Sequence, residues 1–247
     1  MKRFGWRALL GLSLVILSAM FYFLHYAIFR DPYHIFIYML GDLAFVPIEI
    51  VVVTLIVHRL LDEREKHIMR EKLNLIIGVF FSEVGTRLLA FFSDFDPELD
   101  AIRNELIITG NWSEREFANV SKRLRGYDYT IDIQDGSSLD GLHDFLVAKR
   151  DSLLRLLENP NVLEHESFTE LLRAVFHLTE ELEAREDVGY LPGPDCDHLG
   201  SDINRVYRLL VHQWLDYMRY LKENYSYLFS FMMRTNPFNR EASPIVA

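Results

Sequence analysis

Two long apolar segments open the chain, and they constrain it more than anything that follows. Residues 8–29 hold no Asp, Glu, Lys or Arg, and residues 33–57 hold only Asp42 and Glu49. A helix of about 20 apolar residues crosses a bilayer core, and both segments reach that length. The expected N-terminal domain, residues 1–59, is therefore a transmembrane helical hairpin in the lipid bilayer. Lys2, Arg3 and Arg7 give it a basic start that a cleaved signal peptide would share. The apolar run exceeds an ordinary signal core, however, and Phe21-Tyr22-Phe23 stands where small cleavage-site residues belong. The reading is a retained anchor.

Basic residues near the span ends set the orientation. Lys2, Arg3 and Arg7 precede the first span, and Arg59, Arg64, Lys66, Arg70 and Lys72 follow the second. The turn Arg30-Asp31-Pro32 carries one Arg and one Asp. Both termini are expected in the cytoplasm of a prokaryotic cell, with the turn outside. Tyr22, Tyr26, Tyr33 and Tyr38 fall where aromatic belts form. In a cytoplasmic domain the sequons at Asn111 and Asn224 carry no meaning.

The 247 residues leave room for one soluble domain of ordinary size after the hairpin. Charge divides sharply. Residues 1–72 carry nine Lys/Arg against seven Asp/Glu, and the remainder carries 17 against 29, so a basic start precedes an acidic domain within a net −10. Phosphate neutralisation needs clustered Lys and Arg, which excludes nucleic acid as the expected partner. The single Cys196 cannot form an intramolecular disulfide.

After the second span the helix is expected to continue. Residues 60–70 are highly charged and read as a solvated face with i,i+4 pairs such as Asp62 with Lys66. Residues 73–82 are apolar all round, too short to span and suited to a core. Gly78, Ser82 and Gly85 form a small-residue stripe where another helix can approach. Residues 60–92 are thus a connecting helix, broken at Ser93-Asp94-Phe95-Asp96-Pro97. The acidic helical domain follows at 93–236.

Inside that domain, Ser113 with Glu116 makes a capping box, and so does Ser167 with Glu170. Tyr127, Tyr129, Ile131 and Ile133 alternate with polar residues down to Gln134, a period-2 pattern with no second strand to pair with. It reads as an extended loop packed on helices, or an edge for another copy. Ser137 or Ser138 caps a helix reaching Glu158. Residues 189–200, with Pro192, Gly193 and Pro194, read as a loop. The last helix is expected over 201–233, with Tyr207, Trp214 and Tyr217 on one stripe. A flexible tail, 237–247, closes the chain. The fold class is all-α.

Lys222-Glu223-Asn224-Tyr225-Ser226-Tyr227-Leu228-Phe229, Arg234-Thr235-Asn236-Pro237-Phe238, and Phe29-Arg30-Asp31-Pro32 with Gly41-Asp42 resemble a group of prokaryotic two-span membrane proteins. The resemblance covers both ends of the chain. It implies a two-span topology and carries no activity and no site residues.

Asp42, Pro47 and Glu49 are the leading polar candidates. An acid inside a membrane span costs about 2.5–3.5 kcal/mol on insertion scales, so it calls for a role. The two acids lie seven residues apart, about 10 Å along one helix face. Pro47 cannot donate to the carbonyl of Leu43, which leaves a third oxygen between them. Such a face can bind a cation or pass protons; it can equally bond to Ser13 and Ser18 of the first span, or to another copy. The outer His25 is an interfacial residue or a proton acceptor.

The soluble domain shows no catalytic motif. Asp140-x-x-His143, Asp195-x-x-His198, His177-x-x-Glu180 and His212-x-x-x-Asp216 pair acids with imidazoles, yet no Glu-x-x-His occurs, as a di-iron bundle requires. Cys196 lies between Asp195 and Asp197, which disfavour its thiolate. No nucleophile elbow or phosphate loop appears. The expectation is no enzyme, no metal and no cofactor. The chain reads as a membrane-anchored adaptor or regulator working through helix-mediated protein contacts, with Gly78, Ser82, Gly85, Tyr207, Trp214 and Tyr217 as interface candidates. Its partner is a second copy or another membrane protein. The helix leaving the second span would carry displacement to the soluble domain. The alternative is a subunit of a homo-oligomeric ion channel or proton-linked transporter built on Asp42 and Glu49.

Overall fold

The computed structural model describes residues 3–133 and 139–245. Lys2, Gln134 and the expected caps Ser137 and Ser138 lie outside the described residues. Every regular element among the described residues is helical, and the chain divides into two compact units, Met1–Lys66 and His67–Ala247.

The first unit holds α1 (Arg3–Phe29) and the start of α2 (Pro32–Phe80). Arg30, at φ 49°, sits in the left-handed region and makes the turn, its N–H donating to the Tyr26 carbonyl at 2.9 Å. Asp31 then caps α2, its Oδ1 accepting from the N–H groups of Tyr33 and His34 at 3.0 and 3.2 Å. Pro32 suits the first helical position, where its missing N–H has no partner to lose. Both helices contain windows long and apolar enough to cross a membrane, with mean hydropathy 2.0 and 2.3 and no residue buried.

The second unit is built around α9 (Gly193–Asn224), whose buried face runs Leu199, Ile203, Val206, Tyr207, Leu210, Trp214, Met218 and Leu221. α8 (Glu166–Glu183) packs between α9 and α6 (Asp140–Leu157), while α3 (Thr86–Phe95) and α5 (Glu114–Leu124) pack on α9. A single π-helical turn, Phe81–Gly85, joins α2 to α3. Short turns at Leu99–Ala101, α4 (Arg103–Leu106) and α7 (Pro160–Leu163) complete the unit before α10 (Ser226–Arg234). The apolar run of residues 73–92 is core here: Leu73, Ile77, Phe80, Phe81, Val84, Leu88, Leu89 and Phe92 are all buried. Two buried hydroxyls bond back within their own helices, Ser93 donating to the Leu89 carbonyl at 2.6 Å and Thr179 to that of Val175 at 2.8 Å.

Several expectations meet the structure differently. The Ser113 capping box forms in full. Ser167 does not cap α8; that position is His165, whose Nδ1 accepts the Phe168 N–H at 3.3 Å. Helix α9 begins at Gly193, because Pro194 in its first turn loses no hydrogen bond there, so Gly193 to Gly200 is helix and not loop. It ends at Asn224, where Tyr225 leaves helical geometry at φ −141°, ψ 70°. The alternating segment from Tyr127 to Ile133 is an extended loop on the helices, with the Asp132 N–H donating to the Phe95 carbonyl at 3.0 Å and Asn204 donating to that of Tyr129. Phe238, expected in the loose tail, is fully buried against Trp214, ring centroids 5.2 Å apart.

Phe168 is fully buried and meets Phe80 edge-on at 5.5 Å. Phe168→Ala is expected to cost about 3–5 kcal/mol, as large-to-small core changes do, and Ser113→Ala about 1 kcal/mol, as a lost cap does. Thermal unfolding of the full chain in detergent, followed by circular dichroism, checks the order. Equal losses would refute this packing.

Candidate functional site

Helix α9 carries more aromatic side chain at its C-terminal end than its core absorbs. Tyr217, Tyr220 and Tyr225, with Tyr227, Leu228, Phe231 and Met232 of α10, face Asn74, Leu75, Gly78 and Val79 of α2 across a groove of about 660 Å³. Its apolar rim is solvent-facing: Leu75 is 64% exposed, Val79 55%, Tyr227 70% and Phe231 47%. Ligand and peptide sites are commonly apolar concavities with a few polar groups of this kind.

Gly78 makes the groove possible. A Cβ there would stand 2.7 Å from the Tyr217 hydroxyl oxygen, so only glycine lets that ring lie against α2. Tyr217 in turn stacks on Phe81, 5.3 Å between centroids and 8° between planes. Phe81 starts the π turn, and its carbonyl accepts both the Thr86 N–H and, at 2.8 Å, the Thr86 hydroxyl. Such turns often mark functional positions, because the extra residue redirects the side chains around it. Ser82, Glu83 and Thr86 line the groove from this turn. Glu83 pairs with Lys149 at 2.6 Å, which holds its carboxyl below the usual range. Burial pushes the Tyr217 phenol up, and burial with the neighbouring Tyr225 hydroxyl pushes Tyr220 up to about 12. The phenols are therefore neutral, and the groove presents an apolar surface edged by hydroxyls.

The expected interface stripe splits. Gly78, Ser82 and Tyr217 line the groove. Gly85 faces inward, where a Cβ would meet the Phe81 and Phe80 rings at 2.7 and 2.9 Å. Tyr207 and Trp214 are fully buried and belong to the core. Leu75, Val79, Tyr227 and Phe231 were not singled out by the sequence reading. Their signal was available in the i,i+4 spacings 75/79 and 227/231, one apolar pair on each helix facing the other.

In the first unit, Asp42 and Glu49 are exposed and make no hydrogen bond or ion pair among the described residues. Ser13 donates to the Leu10 carbonyl of its own helix at 2.8 Å, not to Glu49. Pro47 lies inside the continuous helix α2.

A second polar centre lies at Asp96, where α3 ends. Asp96 is 6% exposed. It accepts the Glu98 N–H at 3.0 Å and the Tyr127 hydroxyl at 3.2 and 3.3 Å. Tyr129 and Tyr207 pack edge to face beside it, 5.2 Å apart, their buried hydroxyls without a hydrogen-bond partner among the described residues. Burial pushes the Asp96 carboxyl up, and hydrogen bonding, from the Glu98 N–H first and then the Tyr127 hydroxyl, brings it part of the way back.

The chain matches two family models. "Uncharacterized protein MJ1433, C-terminal helical domain" covers residues 69–234, and "MJ1433, N-terminal helical domain" covers residues 2–61. It is 46% identical over 234 residues to "Uncharacterized protein MJ1433" of Methanocaldococcus jannaschii, an alignment spanning 95% of this chain and 94% of that one. No solved structure matches it.

Two outcomes follow from this geometry. Gly78→Ala is expected to destabilise by about 1–3 kcal/mol, as overpacking does, by pushing Tyr217 off Phe81. Adding Tyr217→Phe should recover part of that loss, since the clash is with the hydroxyl; additive losses in a double-mutant cycle would refute the contact. For Asp96, a carboxyl raised on folding favours the protonated native state. Its contribution is therefore present at low pH and lost as pH rises through the raised value. Asp96→Asn should flatten the fall in Tm as pH rises above the ordinary carboxylate range, while keeping the Tyr127 and Glu98 contacts. An unchanged pH profile would refute the burial effect.

Proposed function

The chain belongs to the MJ1433 family, whose name assigns no activity, and from that premise we propose that it is a non-enzymatic, membrane-anchored adaptor. The two apolar helices would hold the chain in the prokaryotic cytoplasmic membrane as an integral hairpin. Arg59, Arg64, Lys66, Arg70 and Lys72 would keep the acidic helical unit on the cytoplasmic side by the positive-inside rule. The observation that carries the reading is the groove beside Gly78. Exposed Leu75 and Val79 opposite Tyr227 and Phe231 offer apolar anchors at i and i+4, the arrangement that receives the apolar face of an amphipathic helix. The proposed partner is such a helix on another membrane-bound protein or a second copy of this chain.

A second reading draws on Asp42 and Glu49, two exposed acids on one apolar helix without partners among the described residues. In a homo-oligomer they would line a path for a cation or protons. Two spans cannot enclose a pore alone, so this reading requires assembly.

A photo-crosslinking residue placed at Tyr227 in native membranes tests the adaptor. Leu75→Glu and Phe231→Glu change exposed positions and should shift stability by no more than about 0.5 kcal/mol. Each is expected to abolish the crosslink, and crosslinking that persists in both would refute the groove. The channel reading predicts that Asp42→Asn with Glu49→Gln abolishes flux while assembly survives.

A further inference from the structure

We infer that the cavity at the end of α3 binds a small amino acid, its ammonium group held on Ser93, Asp94 and Asp96 and its carboxylate on Arg103 and Arg240. The cavity measures about 400 Å³, the size of a small-ligand pocket, and shares no lining residue with the groove beside Gly78. Its polar groups divide by origin and by sign. Ser93, Asp94 and Asp96 come from the last turn of α3 and the residue that ends it. Arg103 of α4 and Arg240 of the chain end line the same cavity with Asp100.

The acidic part is a set of acceptors short of donors. Ser93 and Asp96 are buried. The Ser93 hydroxyl commits its proton to the Leu89 carbonyl, so its oxygen is left to accept. Asp96 takes one backbone N–H and one phenol, where a carboxylate has room for about four donors. Asp94 is exposed and makes no hydrogen bond or ion pair among the described residues. The hydroxyl of fully buried Tyr207 stands beside Ser93 and Asp96 with no hydrogen-bond partner among the described residues. A buried polar atom left unpaired costs free energy that a ligand donor would return. An ammonium brings three N–H donors to these acceptors. Its charge also favours the ionised form of Asp96, which opposes the effect of burial there. No three His, Cys, Asp or Glu side chains among the described residues could hold a metal ion, whereas an ammonium needs only hydrogen-bond acceptors.

The basic part carries positive charge in excess. Asp100 Oδ1 accepts from Arg103 Nε at 2.8 Å and from Arg240 Nη2 at 3.3 Å, so two guanidiniums oppose one carboxylate. Guanidiniums bind carboxylates through paired N–H bonds, and Arg240, 72% exposed, is free to turn its remaining donors to a ligand. A simple cation would meet these arginines and a simple anion would meet Asp94 and Asp96, each repelled at one end. A zwitterion meets the opposite charge at both ends.

The test is calorimetric titration of the full chain in detergent with L-alanine, β-alanine and γ-aminobutyrate, and with propylamine and propionate as probes that carry one end each. At least one amino acid should bind one equivalent per chain with a Kd of about 1 mM or below. Propylamine and propionate should each bind at least about 10-fold more weakly, the loss expected with one charge-assisted hydrogen bond. Asp96→Asn should weaken the amino acid by at least about 10-fold at unchanged circular dichroism. Arg240→Gln, a change at an exposed position, should weaken the amino acid similarly and leave propylamine as it was, and it decides the matter if Asp96→Asn does not fold. Binding of none of the three amino acids, equal binding of a single-ended probe, or parent-like binding by Arg240→Gln would overturn the assignment. The last result would reduce the two arginines to a structural pair with Asp100.

Discussion

Every element of the His67–Ala247 unit depends on one face of α9 being buried. Tyr207 and Trp214 fill its middle, fully enclosed, with Phe92 and Tyr129 edge-on to Tyr207 and Phe238 edge-on to Trp214. Enclosing a large side chain is worth about 1.5–3 kcal/mol, and two such aromatics dominate the face. The chain end completes it. Asn236, 1% exposed, donates to the Leu106 carbonyl at 2.9 Å and accepts the Phe238 N–H at 2.9 Å. Arg103 reaches the Phe238 carbonyl at 3.1 Å and binds Asp100 at 2.8 Å. The Asn-Pro-Phe run is thus a latch that lowers a ring onto Trp214, which gives that stretch of sequence a physical reason.

Helix periodicity and local caps made much of this fold legible. The Ser113 box needs only residues three apart, so it could be read directly. What failed was set by distant packing. Pro194 looked like a loop signal because its place in a first turn depends on where α9 starts. The small-residue stripe looked like one surface, yet the π turn sends Gly78 to the groove and Gly85 to the Phe80 and Phe81 rings. No local spacing announces a π turn. Tyr207 and Tyr217 share a stripe, and only the position of α3 decides that the first is core and the second borders solvent.

Polar chemistry shows the same limit more sharply. His177 read naturally with Glu180, and Asp195 with His198, each three apart. The structure instead faces His177 toward Glu181 and Asp202, and gives Asp195 to Arg185. His177 and Glu181 share one face of α8, whereas the Asp202 contact and the Asp195–Arg185 pair follow from α8 lying against α9. Within one helix an acid has several plausible histidines; only the second helix selects among them.

Leu75, Val79, Tyr227 and Phe231 could have been polar at no cost to the core, because they are not in it. Exposed apolar residues scattered singly need no explanation, whereas a contiguous set lining a concavity does. Here the set is contiguous, and its floor is specific: glycine at 78 admits Tyr217, Phe81 stacks beneath that ring, and Thr86 holds the wide turn that carries Phe81. Glycine costs about 1 kcal/mol in a helix interior, and at 78 the return is internal: it admits the Tyr217 ring that stacks on Phe81. The exposed rim has no such internal reason, and it is the part of the groove that the proposed apolar helix between α2 and α10 would cover.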